Sequence, residues 1–155
     1  MEISVLLRNL LAEEVKILEE IKTAEEDTSI ILIEGDTRAL ESINKQREEL
    51  LLKLQEIEQQ RGGLLPSGLT LKEYIARDNP FSAAELLNFR RRLLQLHSSL
   101  QRRQKINRHL IKHNMQFIHS TLKYLFPGRD GESYAQSGQV KTKNSYSSGL
   151  LDSNA

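Results

Sequence analysis

No cysteine occurs in this chain of 155 residues, which excludes a disulfide framework, a thiolate nucleophile and any cysteine-ligated zinc site, and suits a reducing compartment. Tryptophan is also missing, and aromatic residues make up only 5% of the sequence. Glycine (8 residues) and proline (3 residues) are sparse, a balance that favours long helices packed through aliphatic side chains. No run reaches about 18 uninterrupted apolar residues. Met1-Glu2-Ile3-Ser4 has neither the basic start nor the apolar run of a signal peptide, so neither secretion nor membrane insertion is expected, and the cytoplasm is the expected address. What remains is 38% hydrophobic and 28% charged residues in a length suited to one domain, an ordinary composition for an all-α globular protein.

The net charge of +1 conceals an asymmetry. Residues 1 to 60 hold 7 Lys and Arg against 15 Asp and Glu, whereas residues 81 to 126 hold 9 against the single Glu85. An acidic half of −8 therefore faces a basic segment of +8. Antiparallel helices would lay the two side by side, so the acidic half is expected to neutralise the basic segment internally, Arg102 and Arg103 included.

Hydrophobic spacing divides the chain into three long segments. From Ile3 the steps alternate between four and three, through Leu7, Leu10, Ile17, Ile21, Ala24 and Ile31, with Glu14 and Thr28 as exceptions; this is the signature of a helix with one buried seam. Leu11, Leu18 and Leu32 widen the stripe, as packing against more than one neighbour requires. Gly35-Asp36 interrupts the pattern with a C-terminal glycine and a potential N-cap, predicting a reversal or a kink. The second segment repeats the arithmetic through Leu40, Ile43, Arg47, Leu50, Leu54, Ile57, Arg61 and Leu64, and is expected to end near Arg61, before Gly62-Gly63.

Two capping boxes follow. Thr70-Leu71-Lys72-Glu73, with Leu69 and Tyr74 placed as a hydrophobic staple, predicts a short helix through Arg77. Ser82-Ala83-Ala84-Glu85, flanked by Phe81 and Leu86, announces a third long helix over residues 83 to about 126. The expected fold is all-α: an elongated antiparallel helical bundle of three long helices plus one short helix, with a disordered C-terminal tail. Residues 1–126 form the bundle domain, and the polar residues 127–155 form a flexible partner-binding tail.

Candidate chemistry is thin. His109 and His113 lie four apart on the third long segment, but Leu110-Ile111-Lys112 between them offers no Glu for a zincin motif, and two ligands do not make a site. Adjacent carboxylates such as Glu13-Glu14 and Glu25-Glu26 diverge by about 100° around a helix. Arg61-Gly62-Gly63 lacks the Lys-Ser/Thr end of a phosphate loop. No catalytic residue, metal or cofactor is expected. Arg90-Arg91-Arg92, Arg102-Arg103, Lys105, Arg108 and Lys112 form the one feature suited to nucleic acid, yet no aromatic platform accompanies it, and nucleic-acid binding is not expected. On the same segment the seam of Leu86, Leu93 and Leu100 turns polar at Asn107, Asn114 and Thr121. Buried Asn fixes helix register at a cost in stability, whereas a polar stripe flanked by Leu110, Ile111, Phe117 and Ile118 also suits a partner site. The register role is favoured.

A family resemblance emerges at the second segment. Gly35-Asp36-Thr37-Arg38-Ala39-Leu40, followed by Arg47, Leu50, Leu54 and Arg61, resembles the FlgN pattern of a Gly-Asp start, spaced leucines, a basic position and a closing Arg. Asn107-Arg108-His109-Leu110-Ile111 is similar to that family's Asn-x-x-Leu-Ile segment, and Tyr134 to Gln139, with Gly138 at its fifth position, is similar to its Tyr-x-x-x-Gly element. Arg47 stands where Lys is more usual, and Gln104 where the family often has a first Asn. The resemblance implies a non-enzymatic export chaperone that binds the C-terminal helices of the hook–filament junction proteins FlgK and FlgL. Such a chaperone prevents premature assembly and delivers its cargo to the flagellar type III export gate, with no metal, nucleotide or lipid insertion. Partner binding is expected at Asn107, Leu110, Ile111, Asn114, Phe117 and Ile118, joined by Tyr134, Gly138, Tyr146, Leu150 and Leu151 of the tail. The alternatives from other classes are a structural coiled-coil adaptor and, less favoured, a nucleic-acid-binding helical protein that uses the basic third segment.

Overall fold

A computed structural model describes residues 2–78 and 82–128 of the chain. Four helices run in the order α1 (Glu2–Glu34), α2 (Thr37–Leu64), α3 (Leu71–Asp78) and α4 (Ala83–Leu125), and no strand occurs among the described residues. At about 1.5 Å per residue the three long helices measure roughly 50, 42 and 65 Å.

The break at Gly35-Asp36 is a full reversal. Gly35 takes a positive φ of 73°, a conformation that strains any residue bearing a Cβ, and its N–H donates to the Ile31 carbonyl at 2.9 Å. Asp36 then caps α2 by accepting from the Ala39 N–H at 3.1 Å. The far end of α2 departs from expectation, because the helix continues through Gly62 and Gly63 to Leu64. Glycine weakens a helix without ending it. The stop is Pro66, which drives Leu65 into extended geometry (φ −81°, ψ 140°).

The first capping box forms completely: Thr70 N–H and hydroxyl both donate to Glu73 Oε2 at 2.9 Å, and Glu73 N–H returns to Thr70 Oγ1 at 3.2 Å. These bonds, rather than burial, hold the Glu73 carboxyl below its ordinary range. The second box does not form. Ser82 makes no side-chain cap bond, and Glu85 lies 3.7 Å from Arg8 of α1. The expected staple residue Phe81 lies outside the described residues.

Helix α1 is the shared element, packed against both α2 and α4, while no Cα of α2 comes within 8 Å of one in α4. Paired residues fix the directions. Glu14 meets Arg61 and Glu25 meets Arg47, so α1 and α2 are antiparallel. Glu19 meets Arg92, Ser29 meets Asn107 and the Leu32 carbonyl meets Asn114, so α1 and α4 run parallel. One end of the bundle, the base, thus holds the start of α1, the end of α2, α3 and the start of α4. At the base Leu7, Leu11, Leu18, Leu50, Leu54, Leu71, Leu86, Leu93, Leu96 and Leu100 form one core with Ile21, Tyr74 and Ile75. At the other end, the top, α1 finishes level with about residue 116 of α4, and α4 projects roughly 15 Å further.

The internal neutralisation of charge expected from the sequence does not extend to Arg102 and Arg103 or to the cations beyond them on α4. Arg92 of α4 pairs with Glu19 of α1 at 2.8 Å, while among the described residues Arg102, Arg103, Lys105, Arg108, Lys112 and Lys123 make no ion pair. The cause is angular. Asn107 faces α1, and Arg102, Lys105, Lys112 and Lys123 point roughly 140 to 160° away from it at about 100° per residue.

Replacing Leu50 or Leu93 with Ala, both in the core, should cost about 2 to 5 kcal/mol in denaturant unfolding. Leu52, which is 67% exposed, should cost less than about 0.5 kcal/mol when so replaced. Equal losses at Leu52 and Leu93 would contradict the assigned faces.

Candidate partner-binding surface

Above Ile21 and Leu100 the interior mixes buried Ala24, Leu32 and Ile43 with polar side chains, and the polar ones set the position of α4. Glu25, 1% exposed, receives Arg47 of α2 on Oε1 and the Asn107 amide of α4 on Oε2 at 2.8 Å. The same amide reaches the Glu25 carbonyl at 3.0 Å, and the Ser29 hydroxyl donates to Asn107 Oδ1 at 2.5 Å. One turn pair higher, Asn114 donates to the Leu32 carbonyl at 3.1 Å. The two seam asparagines are therefore engaged with α1, as a register role requires.

Nearer the base a second ionic contact crosses the α1–α2 interface. Buried Glu14 sits 2.9 Å from Nε of buried Arg61. Burial raises the Glu14 carboxyl, and the Arg61 guanidinium opposes that rise. Glu58, one turn before Arg61, is pushed up to about 7 by burial and by the Glu14 charge, again opposed by Arg61. His97 of α4 is held below its ordinary range by burial and by Arg61. Glu58 and Arg61 also line an open cavity of about 370 Å³ closed by Gly62, Leu65, Ser67 and Leu69. Nothing about this cluster resembles a nucleophile and base: its two carboxyls share one guanidinium inside a helix interface.

The surface is different along the second half of α4. Leu110 and Asn114 are half-buried, whereas Ile111, Phe117 and Ile118 are 44%, 69% and 57% exposed. Asn107 lies beneath this surface, buried with its amide in use. The structure thus brings Leu110, Ile111, Asn114, Phe117 and Ile118 onto one stretch of helix and places Asn107 under it; Tyr134, Gly138, Tyr146, Leu150 and Leu151 lie outside the described residues. Met115, Leu122, Tyr124, Leu125 and Phe126 belong to the same projecting stretch, and all except half-buried Leu122 are exposed. Sequence reasoning passed over these five, although steps of three and four from Ile111 reach Met115, Leu122 and Phe126. It also left Glu14 as an exception to the seam. An acid and two arginines standing in seam positions, Glu14, Arg47 and Arg61, were the available signal of cross-helix pairs.

His109 and His113 are both exposed, and no group of three or more His, Asp or Glu converges as a metal site among the described residues. No helix among them is long and apolar enough to cross a membrane.

The family model described as FlgN protein matches residues 1–142. No curated protein and no solved structure matches the chain.

Two outcomes follow from the Glu14–Arg61–Glu58 cluster. Arg61→Met should destabilise by about 3 to 5 kcal/mol by stranding a buried carboxylate, and adding Glu14→Leu should recover most of that loss; a double variant no better than the single one would refute the pairing. Because the Glu58 carboxyl titrates at about 7 in the folded chain against 4.5 ordinarily, its favourable share is intact below pH 4.5 and is lost as pH rises through about 7. Glu58→Gln should therefore raise the melting temperature relative to the parent more at pH 8 than at pH 5, and a difference independent of pH would refute the shift.

Proposed function

The chain belongs to the FlgN family of flagellar export chaperones, and from that premise we propose that it escorts the hook–filament junction proteins FlgK and FlgL. It binds their C-terminal helices in the cytoplasm, prevents their premature assembly and presents them to a component of the export gate, without catalysis, cofactor or membrane insertion. The observation that carries this reading beyond family membership is the apolar surface of α4 at the top of the bundle, where Ile111 lies exposed beside the end of α1, and Phe117 and Ile118 lie exposed beyond it.

An amphipathic helix buries its apolar face by lying along such a surface. Leu110, Ile111, Phe117 and Ile118 provide the contact, Asn114 lies at its edge, and Asn107 holds the register beneath. The domain reading follows: residues 1–126 are the scaffold and residues 127–155 the segment that closes over the cargo, with Tyr134, Tyr146, Leu150 and Leu151 as anchors and Gly138 as the point of backbone freedom. Ordering such a segment offsets part of the contact energy, which suits a complex that must be released at the gate.

Co-purification with FlgK and FlgL tests the proposal directly, and failure to retain either protein refutes it. Truncation after Pro127 should leave the thermal melt of the bundle unchanged while weakening cargo binding at least about tenfold, or roughly 1.4 kcal/mol. Unchanged affinity would remove the tail from the site, and a much lower melt would make it part of the fold.

A further inference from the structure

We infer that α4 carries a second seam whose occupant is an amphipathic helix bordered by Asp and Glu. The inference rests on the export reading for its setting and adds the chemistry by which the cargo helix is recognised.

Ile111, Met115, Ile118, Leu122 and Phe126 follow one another in steps of four and three, which aligns them as a single ridge. That ridge is turned on average roughly 70° from the line of Asn107 and Asn114 that faces α1, at about 100° per residue. It is thus uncovered even where α1 runs alongside, and beyond about residue 116 α4 has no neighbour from α1 at all. Four of the five are exposed, and Leu122 is half-buried. From Ile111 to Phe126 the ridge runs about 22 Å, four turns of a docked helix.

A second line adjoins it. Arg108, Lys112 and Lys123 follow the ridge along its outer edge, the border position from which coiled-coil partners are chosen by charge. All three are exposed and make no ion pair among the described residues. No Asp or Glu occurs from Leu86 to Gly128, so α4 contains nothing to screen them.

Charge selects among occupants. Antiparallel pairing with a second copy would set this cationic edge against itself, and like charges along a border select against a partner. A nucleic-acid backbone would meet the cations but leave the apolar ridge in water, forfeiting about 25 cal/mol for each Å² left uncovered. An acid-bordered amphipathic helix satisfies both lines at once.

The test uses the full chain and two synthetic amphipathic peptides of about 18 residues, identical in their apolar stripe and bearing either Glu or Lys along one border. At about 50 mM salt, where screening is weak, fluorescence anisotropy should show the Glu peptide binding at least about tenfold more tightly than the Lys peptide, equivalent to roughly 1.4 kcal/mol. That advantage should shrink at about 300 mM salt. The Lys112→Glu/Lys123→Glu variant should reverse the preference, and Ile118→Asp should abolish binding of both peptides with an unchanged melt. Equal binding of the two peptides, a preference that survives the charge reversal, or a DNA duplex that competes as strongly as the Glu peptide overturns the inference. If FlgK and FlgL bind the parent chain and the charge-reversed variant alike, this inference fails and the export reading stands. If neither cargo binds while the peptide preference and its reversal hold, the export reading fails and the acid-selective seam stands.

Discussion

A single buried carboxylate joins the three long helices. Burying the charge of Glu25 costs several kcal/mol unless both oxygens are partnered, and here one oxygen receives a guanidinium from α2 and the other an amide from α4. Because α2 and α4 do not approach each other closely, their relative height is set through α1. The Glu14–Arg61 pair supplies a second fixed point on the α2 side. A slide of α2 by one heptad would keep aliphatic side chains facing aliphatic side chains but separate both pairs, and unpaired buried charge is what makes the alternatives costly. The projection of α4 beyond α1 is a consequence of that register.

Much of this was written in the spacing of apolar residues. The three long helices, the reversal at Gly35-Asp36, the Thr70–Glu73 box and the seam positions of Leu50, Leu54, Leu93 and Leu100 all follow from local rules that tertiary contacts reinforce. Boundaries decided by competition were less legible. Gly62-Gly63 reads as a stop, but the backbone kept its hydrogen bonding until Pro66 removed the option. Ser82 reads as a cap, but Glu85 lies beside Arg8 of another helix.

Charge was the poorest guide, because a count along the chain carries no angular information. The acidic first half and basic third segment suggested mutual neutralisation, yet most α4 cations point away from α1. Of the candidate surface, Leu110, Ile111, Phe117 and Ile118 were visible from the sequence as residues flanking a polar seam. Met115, Leu122 and Phe126 sit off that seam, and although steps of three and four reach them, they gain meaning only once the face of α4 turned to α1 and the end of α1 are known.

The division of the interior into a leucine-rich base and a polar top also bears on how the molecule opens. Local unfolding is cheapest where few apolar contacts are buried, and at the top the helices are held by the hydrogen bonds around Glu25, Asn107 and Asn114 and by only a few buried aliphatic residues, Leu32 and Ile43 among them. Backbone amides near Leu32 and the α1–α2 turn should therefore exchange with solvent faster than those beside Leu11 and Leu96. Stiffness should thus be concentrated at the end where the chain connections cluster, which leaves the end that bears the projecting helix the more compliant of the two.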